Sequence, residues 1–193
     1  MLWLATPQAG PRVVVAGPTD AGKSSLVRIL LSYAVRLGRK PLYVDLDIGQ
    51  GSITVPGTIS ATQLDRSTVD VEDGLASTAT VPLSYFYGHT DLQRNPDLYK
   101  MLVNRLAAAL NAKIEQNPEA RTAGMVVNTC GWVDGMGYEL LQHAITALEI
   151  DTILVLGTCA RVAEFHQLTN LLSPSPPHLS QATTGCMHSW RGR

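Results

Sequence analysis

Apolar residues recur along this chain in two alternating rhythms. Residues Arg12–Ala16 form a β-branched run that breaks at Gly17, the pattern of a buried parallel strand. From Gly22 to Leu37 the apolar positions are Leu26, Ile29, Leu30, Tyr33, Ala34 and Leu37, which is helical spacing. Gly38 ends that helix, and Pro41 keeps it from resuming. Residues 42–46 predict a second strand, so the first unit reads strand–loop–helix–strand. Further on, Leu98, Met101, Leu102, Leu106 and Leu110 describe one face of a second helix. Residues 125–127 predict a third strand, Leu140, Leu141, Ala144, Ile145 and Leu148 a third helix, and Thr152–Leu156 a fourth strand. Such alternation predicts an α/β layered domain with a mostly parallel sheet. Residues 51–73, with Pro56 and Gly57, read as a long functional loop or short strands. Residues 171–193 hold Ser173-Pro174-Ser175-Pro176-Pro177 and no periodicity, and read as a disordered tail.

Composition changes this picture little. The 193 residues suffice for one domain with a hydrophobic core, and 45% hydrophobic with 16% charged residues is ordinary for a soluble globular protein. A formal net charge of −1 argues against tight duplex binding, though not against a short single strand held by a few groups. Cys130, Cys159 and Cys186 are odd in number and lack metal-ligand spacing, which points to free thiols in a reducing compartment. Apolar runs stop well short of the roughly 18 residues of a membrane span.

The chemistry enters at Gly17-Pro18-Thr19-Asp20-Ala21-Gly22-Lys23-Ser24, followed by Ser25, which matches G-x-x-x-x-G-K-[ST] between a predicted strand and a predicted helix. This spacing lets a loop wrap backbone N–H groups around phosphate oxygens, with glycines where the chain needs positive φ or close approach. Lys23 then reaches the β- and γ-phosphates, the Ser24 hydroxyl ligates Mg²⁺, and the helix N-terminus adds its dipole. The expected ligand is ATP with Mg²⁺, in a P-loop NTPase domain of three layers. Asp45-Leu46-Asp47 ends the next strand, at the sheet edge that carries the P-loop, with Gly49-Gln50-Gly51 just after. One carboxylate there can hold the metal through water, and the other can take a proton from an attacking hydroxyl. Asp and Gly also end strands in ordinary turns. A GTPase would carry Asn-Lys-x-Asp after a later strand; Asn128-Thr129-Cys130-Gly131 lacks both the Lys and the Asp. His89 and His143 attract no role.

These residues carry a resemblance. The P-loop, Tyr33-Ala34-Val35-Arg36-Leu37-Gly38-Arg39, the stretch Asp45-Leu46-Asp47-Ile48-Gly49-Gln50-Gly51-Ser52-Ile53-Thr54-Val55-Pro56-Gly57-Thr58, and Asn128-Thr129-Cys130-Gly131-Trp132-Val133 are similar to the eukaryotic polynucleotide 5′-hydroxyl kinase family. The branch they resemble is the RNA kinase subunit of the mRNA cleavage and polyadenylation machinery. The likeness runs from about residue 10 to 156. It implies ATP-dependent transfer of the γ-phosphate to an RNA 5′-hydroxyl, in mRNA 3′-end processing or tRNA splicing in the nucleus. The partners it implies are a single-stranded RNA 5′ end and other pre-mRNA cleavage-factor subunits, with no membrane. By the same likeness, Gly17, Thr19, Asp20, Ala21, Gly22, Lys23, Ser24 and Ser25 bind the nucleotide, and Ser24 and Asp45 serve the metal. Lys23 and Asp47 are catalytic, Asp47 as general base, and Gln50, Pro56, Thr129 and Trp132 contact RNA. Trp132 would stack on a terminal base. The residues alone leave open an aromatic core position for Trp132 and a backbone-bonded hydroxyl for Thr129.

The family also carries an N-terminal β-sandwich, a lid with arginines and a C-terminal β-rich domain. Residues 1–9 read as a remnant of the first, 10–170 as the kinase domain and 171–193 as a divergent tail. Gly157-Thr158-Cys159-Ala160-Arg161 departs from the family pattern. The chain therefore reads as a truncated kinase. The alternative is a non-catalytic ATP-binding scaffold of the cleavage complex, or an inactive fragment.

Overall fold

Successive residues of a strand face opposite sides of its sheet, so a buried strand serves two cores. The computed structural model describes residues 9–65, 81–157 and the main chain of 178–182. Its strands are β1 (Arg12–Ala16), β2 (Leu42–Asp45), β3 (Thr58–Gln63), β4 (Leu83–Phe86), β5 (Met125–Asn128), β6 (Thr152–Leu156) and β7 (His178–Ala182). Its helices are α1 (Lys23–Arg36), α2 (Pro96–Gln116), α3 (Pro118–Ala123) and α4 (Met136–Ala147), with a short 3₁₀ turn at Leu92–Arg94. In β1, Val13 and Val15 join Val27, Leu31, Ala34 and Val35 of α1 in one apolar cluster. Val14 and Ala16 join Leu106 of α2, Ala120 of α3 and Leu140 of α4 in the other. The result is the expected three-layer α/β domain, with one helix on one face and three on the other.

The seven strands stand in the order β4-β3-β2-β5-β1-β6-β7. Strands β2, β5, β1, β6 and β7 are parallel, whereas β3 and β4 run antiparallel at one edge. β1 and β6 have the bounds the hydrophobic pattern predicts, while α2 extends both ways beyond its predicted apolar face. Asn95 sets its start by accepting from the Leu98 amide at 3.1 Å, with Pro96 in the first turn.

Within residues 51–73, read above as a long loop or short strands, Thr58–Gln63 form the short strand β3, one face of which is buried but polar. Thr58, Ser60 and Thr62 are all buried. Thr54 Oγ1 lies 2.7 Å from both Thr58 Oγ1 and Ser60 Oγ, and Ser60 Oγ lies 2.9 Å from Ser84 Oγ. These hydroxyls satisfy one another, so this face is buried without apolar side chains, while Ile59 and Ala61 on the other face join the core. The other difference is at the end of the chain. Within residues 171–193, read above as disordered, His178–Ala182 form β7 and pair in parallel with β6. Backbone pairing to an open sheet edge requires no side-chain periodicity. Residues 1–8, 66–80, 158–177 and 183–193 lie outside the described residues, and with them Cys159, Arg161 and Cys186.

At the C-terminal ends of the parallel strands, Asp45 and Asn128 stand opposite each other across the β2–β5 ladder. The Asp45 side chain is buried. Its Oδ1 accepts from Asn128 Nδ2 and from the Asp47 amide, each at 3.1 Å. Its Oδ2 accepts from the Ser52 amide at 2.7 Å, Ser52 Oγ at 2.9 Å and Tyr43 OH at 3.2 Å. Burial and the adjacent Asp45 carboxylate push the Tyr43 phenol far above its usual range, so it stays protonated and donates. A buried carboxylate is tolerated only when its oxygens are satisfied in this way.

Two stability outcomes follow. Leu106→Ala, at a fully buried position, lowers the unfolding free energy by about 2–5 kcal/mol in a denaturant titration. Asp45→Asn places an amide N–H₂ against donors and costs about 1–3 kcal/mol, whereas Asp47→Asn costs less than about 0.5 kcal/mol because that side chain is half-exposed. Equal costs at the two aspartates would contradict the structural role given to Asp45.

Candidate phosphate- and acceptor-binding site

The loop between β1 and α1 is shaped by backbone conformations that side chains resist. Gly17, Asp20 and Gly22 have φ of 150°, 61° and 89°, the region glycine tolerates and Asp visits at a cost. At Gly17 an added Cβ would come within 3.1 Å of the Leu156 carbonyl carbon, so only glycine lets the loop pass β6. At Gly22 a Cβ would meet nothing within 4 Å. The space above that turn is open, where a phosphate cradle needs it.

α1 begins at Lys23 with no side-chain cap and no acidic residue in its first turn. Its leading N–H groups are therefore left for an anion. Lys23 is buried to 7% exposure and donates from Nζ to the Pro18 carbonyl at 2.8 Å. Burial lowers its pKa, against the raising influence of Asp47, Cys130 and Asp20. Burial likewise pushes the Cys130 thiol up, so it stands beside Lys23 as a neutral group.

These residues line a cleft of about 450 Å³ together with a second set from β2's C-terminal loop. Its walls are Thr19, Asp20, Gly22, Lys23, Ser24 and Ser25 on one side, and Asp47, Gly49, Gln50 and Gly131 on the other. Asp47 is half-exposed; its Oδ1 accepts from the Gly49 and Gln50 amides at 3.0 and 3.2 Å. No hydrogen bond engages its Oδ2 among the described residues. The loop amides thus fix the carboxyl while leaving one oxygen to act in the cleft. Gly131 closes the wall because a Cβ there would lie 2.6 Å from the Thr19 amide nitrogen.

Not every residue expected in the site is there. Gly17 and Ala21 shape the loop without lining the cleft. Asp45, expected beside the metal, has both oxygens engaged by Tyr43, Asp47, Ser52 and Asn128 and does not line the cleft. Thr129, expected on RNA, is buried and donates to the Val15 carbonyl at 2.8 Å, tying β5 to β1. Pro56 lines a separate cleft with Gly57, Phe86 and Arg94. Trp132 follows Gly131 and is half-buried, its indole lying where a Cβ on Gly137 of α4 would come within 2.5 Å. His143 is turned away, with Nε2 3.2 Å from the Lys100 carbonyl. Ser52, Tyr43 and Asn128 organise the site without having been singled out: Tyr43 and Ser52 reach Asp45 from its own strand and the following loop, and the pairing of β2 with β5 brings Asn128 to it. The Oδ1 of Asn128 is buried without a hydrogen-bond partner.

Among the described residues, no helix is long and apolar enough to cross a membrane. Residues 17–174 match the family described as mRNA cleavage and polyadenylation factor CLP1 P-loop. The human protein named polyribonucleotide 5′-hydroxyl-kinase Clp1 is 47% identical over 171 residues, covering 89% of this chain and 38% of that protein. A Dictyostelium discoideum protein named as a CLP1 homolog is 49% identical over 149 residues, 77% of this chain and 32% of the relative. The solved structure of a Clp1p–Pcf11p complex superposes with a TM-score of 0.78 at 27% identity, covering 91% of this chain and 44% of that one. The chain spans about a third of the length of these curated relatives. On its P-loop, its strand order and these matches, the chain belongs to the CLP1 P-loop family.

Proposed function

We propose that the cleft transfers the γ-phosphate of ATP to the 5′-hydroxyl of a single-stranded RNA. The observation that carries this reading is the placement of Asp47, with one carboxylate oxygen unengaged among the described residues, in the same cleft as Lys23 and Ser24. In the reaction, Asp47 accepts the proton of the 5′-hydroxyl as that oxygen bonds to the γ-phosphorus. The bond from the γ-phosphorus to the β–γ bridging oxygen breaks, and ADP carries away the electron pair. Lys23 turns from the Pro18 carbonyl to the β- and γ-phosphates, and the open amides of the loop and of α1 hold the remaining oxygens.

The donor set fits a magnesium nucleotide. No cluster of three or more His, Cys, Asp or Glu among the described residues could cage a metal. Mg²⁺ characteristically takes its ligands from phosphates, water and one or two protein oxygens, here the exposed hydroxyl of Ser24. When bound, the ion neutralises charge on the phosphates. Gln50 lines the cleft, and a terminal base stacked on Trp132, the residue after Gly131, would be worth about 1–3 kcal/mol. The human relative is named as a polyribonucleotide 5′-hydroxyl kinase, and the solved neighbour is a complex of Clp1p with Pcf11p. A nuclear role beside other cleavage-factor subunits is part of this proposal.

The test is transfer of labelled γ-phosphate to a 5′-hydroxyl oligoribonucleotide, with nucleotide binding followed by calorimetry. Asp47→Asn cuts transfer by about 10²–10⁴-fold and changes ATP affinity less than about twofold, whereas Lys23→Ala weakens ATP binding at least about tenfold. Transfer that survives Asp47→Asn would remove that residue as the base. ATP binding without any transfer by the unsubstituted chain would favour a nucleotide-stabilised scaffold.

The depressed Lys23 pKa gives a second outcome. In the free protein, Lys23 begins to lose its proton below the ordinary 10.5. The triphosphate favours the charged form and raises the pKa, so binding takes up protons as the pH rises through the depressed value. Binding heats at alkaline pH therefore vary with the buffer's ionisation enthalpy, and that variation disappears in Lys23→Arg. Heats independent of buffer would contradict it.

A further inference from the structure

A second cleft of about 570 Å³ adjoins the first and shares none of its lining residues. Its walls include Pro56, Phe86, His89, Thr90, Asp91 and Arg94. The two clefts share a boundary. Gly49 lines the first, and a Cβ on it would touch the carbonyl of Thr90, in the second, at 3.7 Å. Gln50 of the first and Pro56 of the second lie on one loop, between β2 and β3. A strand leaving the acceptor position beside Gln50 meets this second cleft next.

The side chains there suit a nucleic acid single strand. Phe86, at the end of β4, is 75% exposed. Such exposure is costly for an aromatic ring and useful as a stacking platform. The His89 ring sits edge-on to Tyr87 at 5.8 Å, so its position is fixed while its outer side faces the cleft. Arg94 is exposed and forms no ion pair among the described residues. The one acid among its described lining residues, Asp91, has Oδ1 occupied by the Gln93 amide at 3.0 Å. On a chain of net charge −1, an aromatic ring and an exposed guanidinium lining one cleft form a local feature and not part of a general basic field. They match one base and one phosphate, the repeating unit of a single strand.

We propose that this cleft binds the nucleotides 3′ of the acceptor, with a base stacked on Phe86 and a backbone phosphate on Arg94. The inference rests on the kinase reading and makes the site length-selective, favouring oligonucleotides over a minimal 5′-hydroxyl dinucleotide. The strand then runs from its 5′ end at Asp47, past Gln50 and over Thr90, toward Arg94.

The experiment is fluorescence anisotropy of 3′-labelled 5′-hydroxyl oligouridylates of two and six nucleotides, with a non-hydrolysable ATP analogue and Mg²⁺ present. The longer strand binds about tenfold more tightly to the unsubstituted chain, as one stack and one phosphate contact require. Phe86→Ala and Arg94→Ala each remove most of that advantage and leave dinucleotide affinity unchanged, while Arg94→Lys retains it. Equal affinity for the two lengths, or loss at both lengths in the variants, overturns the second cleft and leaves the kinase reading standing. Failure of both strands to bind while the ATP analogue binds removes the kinase reading and this inference together.

Discussion

The buried carboxylate of Asp45 accepts five hydrogen bonds from four residues: Tyr43 on β2, Asp47 and Ser52 on the following loop, and Asn128 on β5. Removed from water, that charge is stable only while all these donors stay in place. It therefore constrains them as much as they support it. The loop from residue 46 to 52 is cinched at both ends, and Asp47 is left at its outward turn. The same carboxylate links that turn to β5, whose continuation through Gly131 forms the opposite wall. The two acids, separated by Leu46, thus sit differently: Asp45 is buried with both oxygens bonded, while Asp47 lines the cleft half-exposed.

The P-loop meets this scaffold from the other side. Positive φ at Gly17, Asp20 and Gly22 bends the chain so that its amides turn inward. Such conformations persist only where surroundings over-determine them. Here the contacts are the close pass of Gly17 against β6 and the approach of Gly131 to Thr19. Both depend on the strand order, because β1 lies between β5 and β6. A parallel sheet whose β1 and β2 loops emerge at one edge, on either side of β5, is what brings the P-loop and Asp47 to one cleft.

Much of this was legible in the sequence, for physical reasons. Runs such as Arg12–Ala16 and Thr152–Leu156 are buried on both faces, so their apolar character marks them regardless of neighbours. The P-loop is a local motif whose spacing fixes its own conformation. What remained hidden depended on pairing at long range. The segment holding β3 read as loop or short strands because the buried hydroxyls of one face bond one another, and β7 was hidden because backbone pairing needs no pattern. The division of labour between Asp45 and Asp47 required knowing that Asn128 stands opposite Asp45. Thr129 read equally well as a ligand contact or a backbone tie until Val15 was placed beside it.

The most direct test of the Asp45 network is amide hydrogen exchange, resolved by residue, in the unsubstituted chain and in Asn128→Ala. That change removes one donor from Asp45 without touching the P-loop or Asp47. Slow exchange is expected at the Asp47 and Ser52 amides in the unsubstituted chain. Much faster exchange is expected at both in the variant, with the amides of α1 still protected. Unchanged protection at Asp47 and Ser52 would mean that the Asp45 network does not hold the loop, and the division of roles between the two aspartates would fall with it.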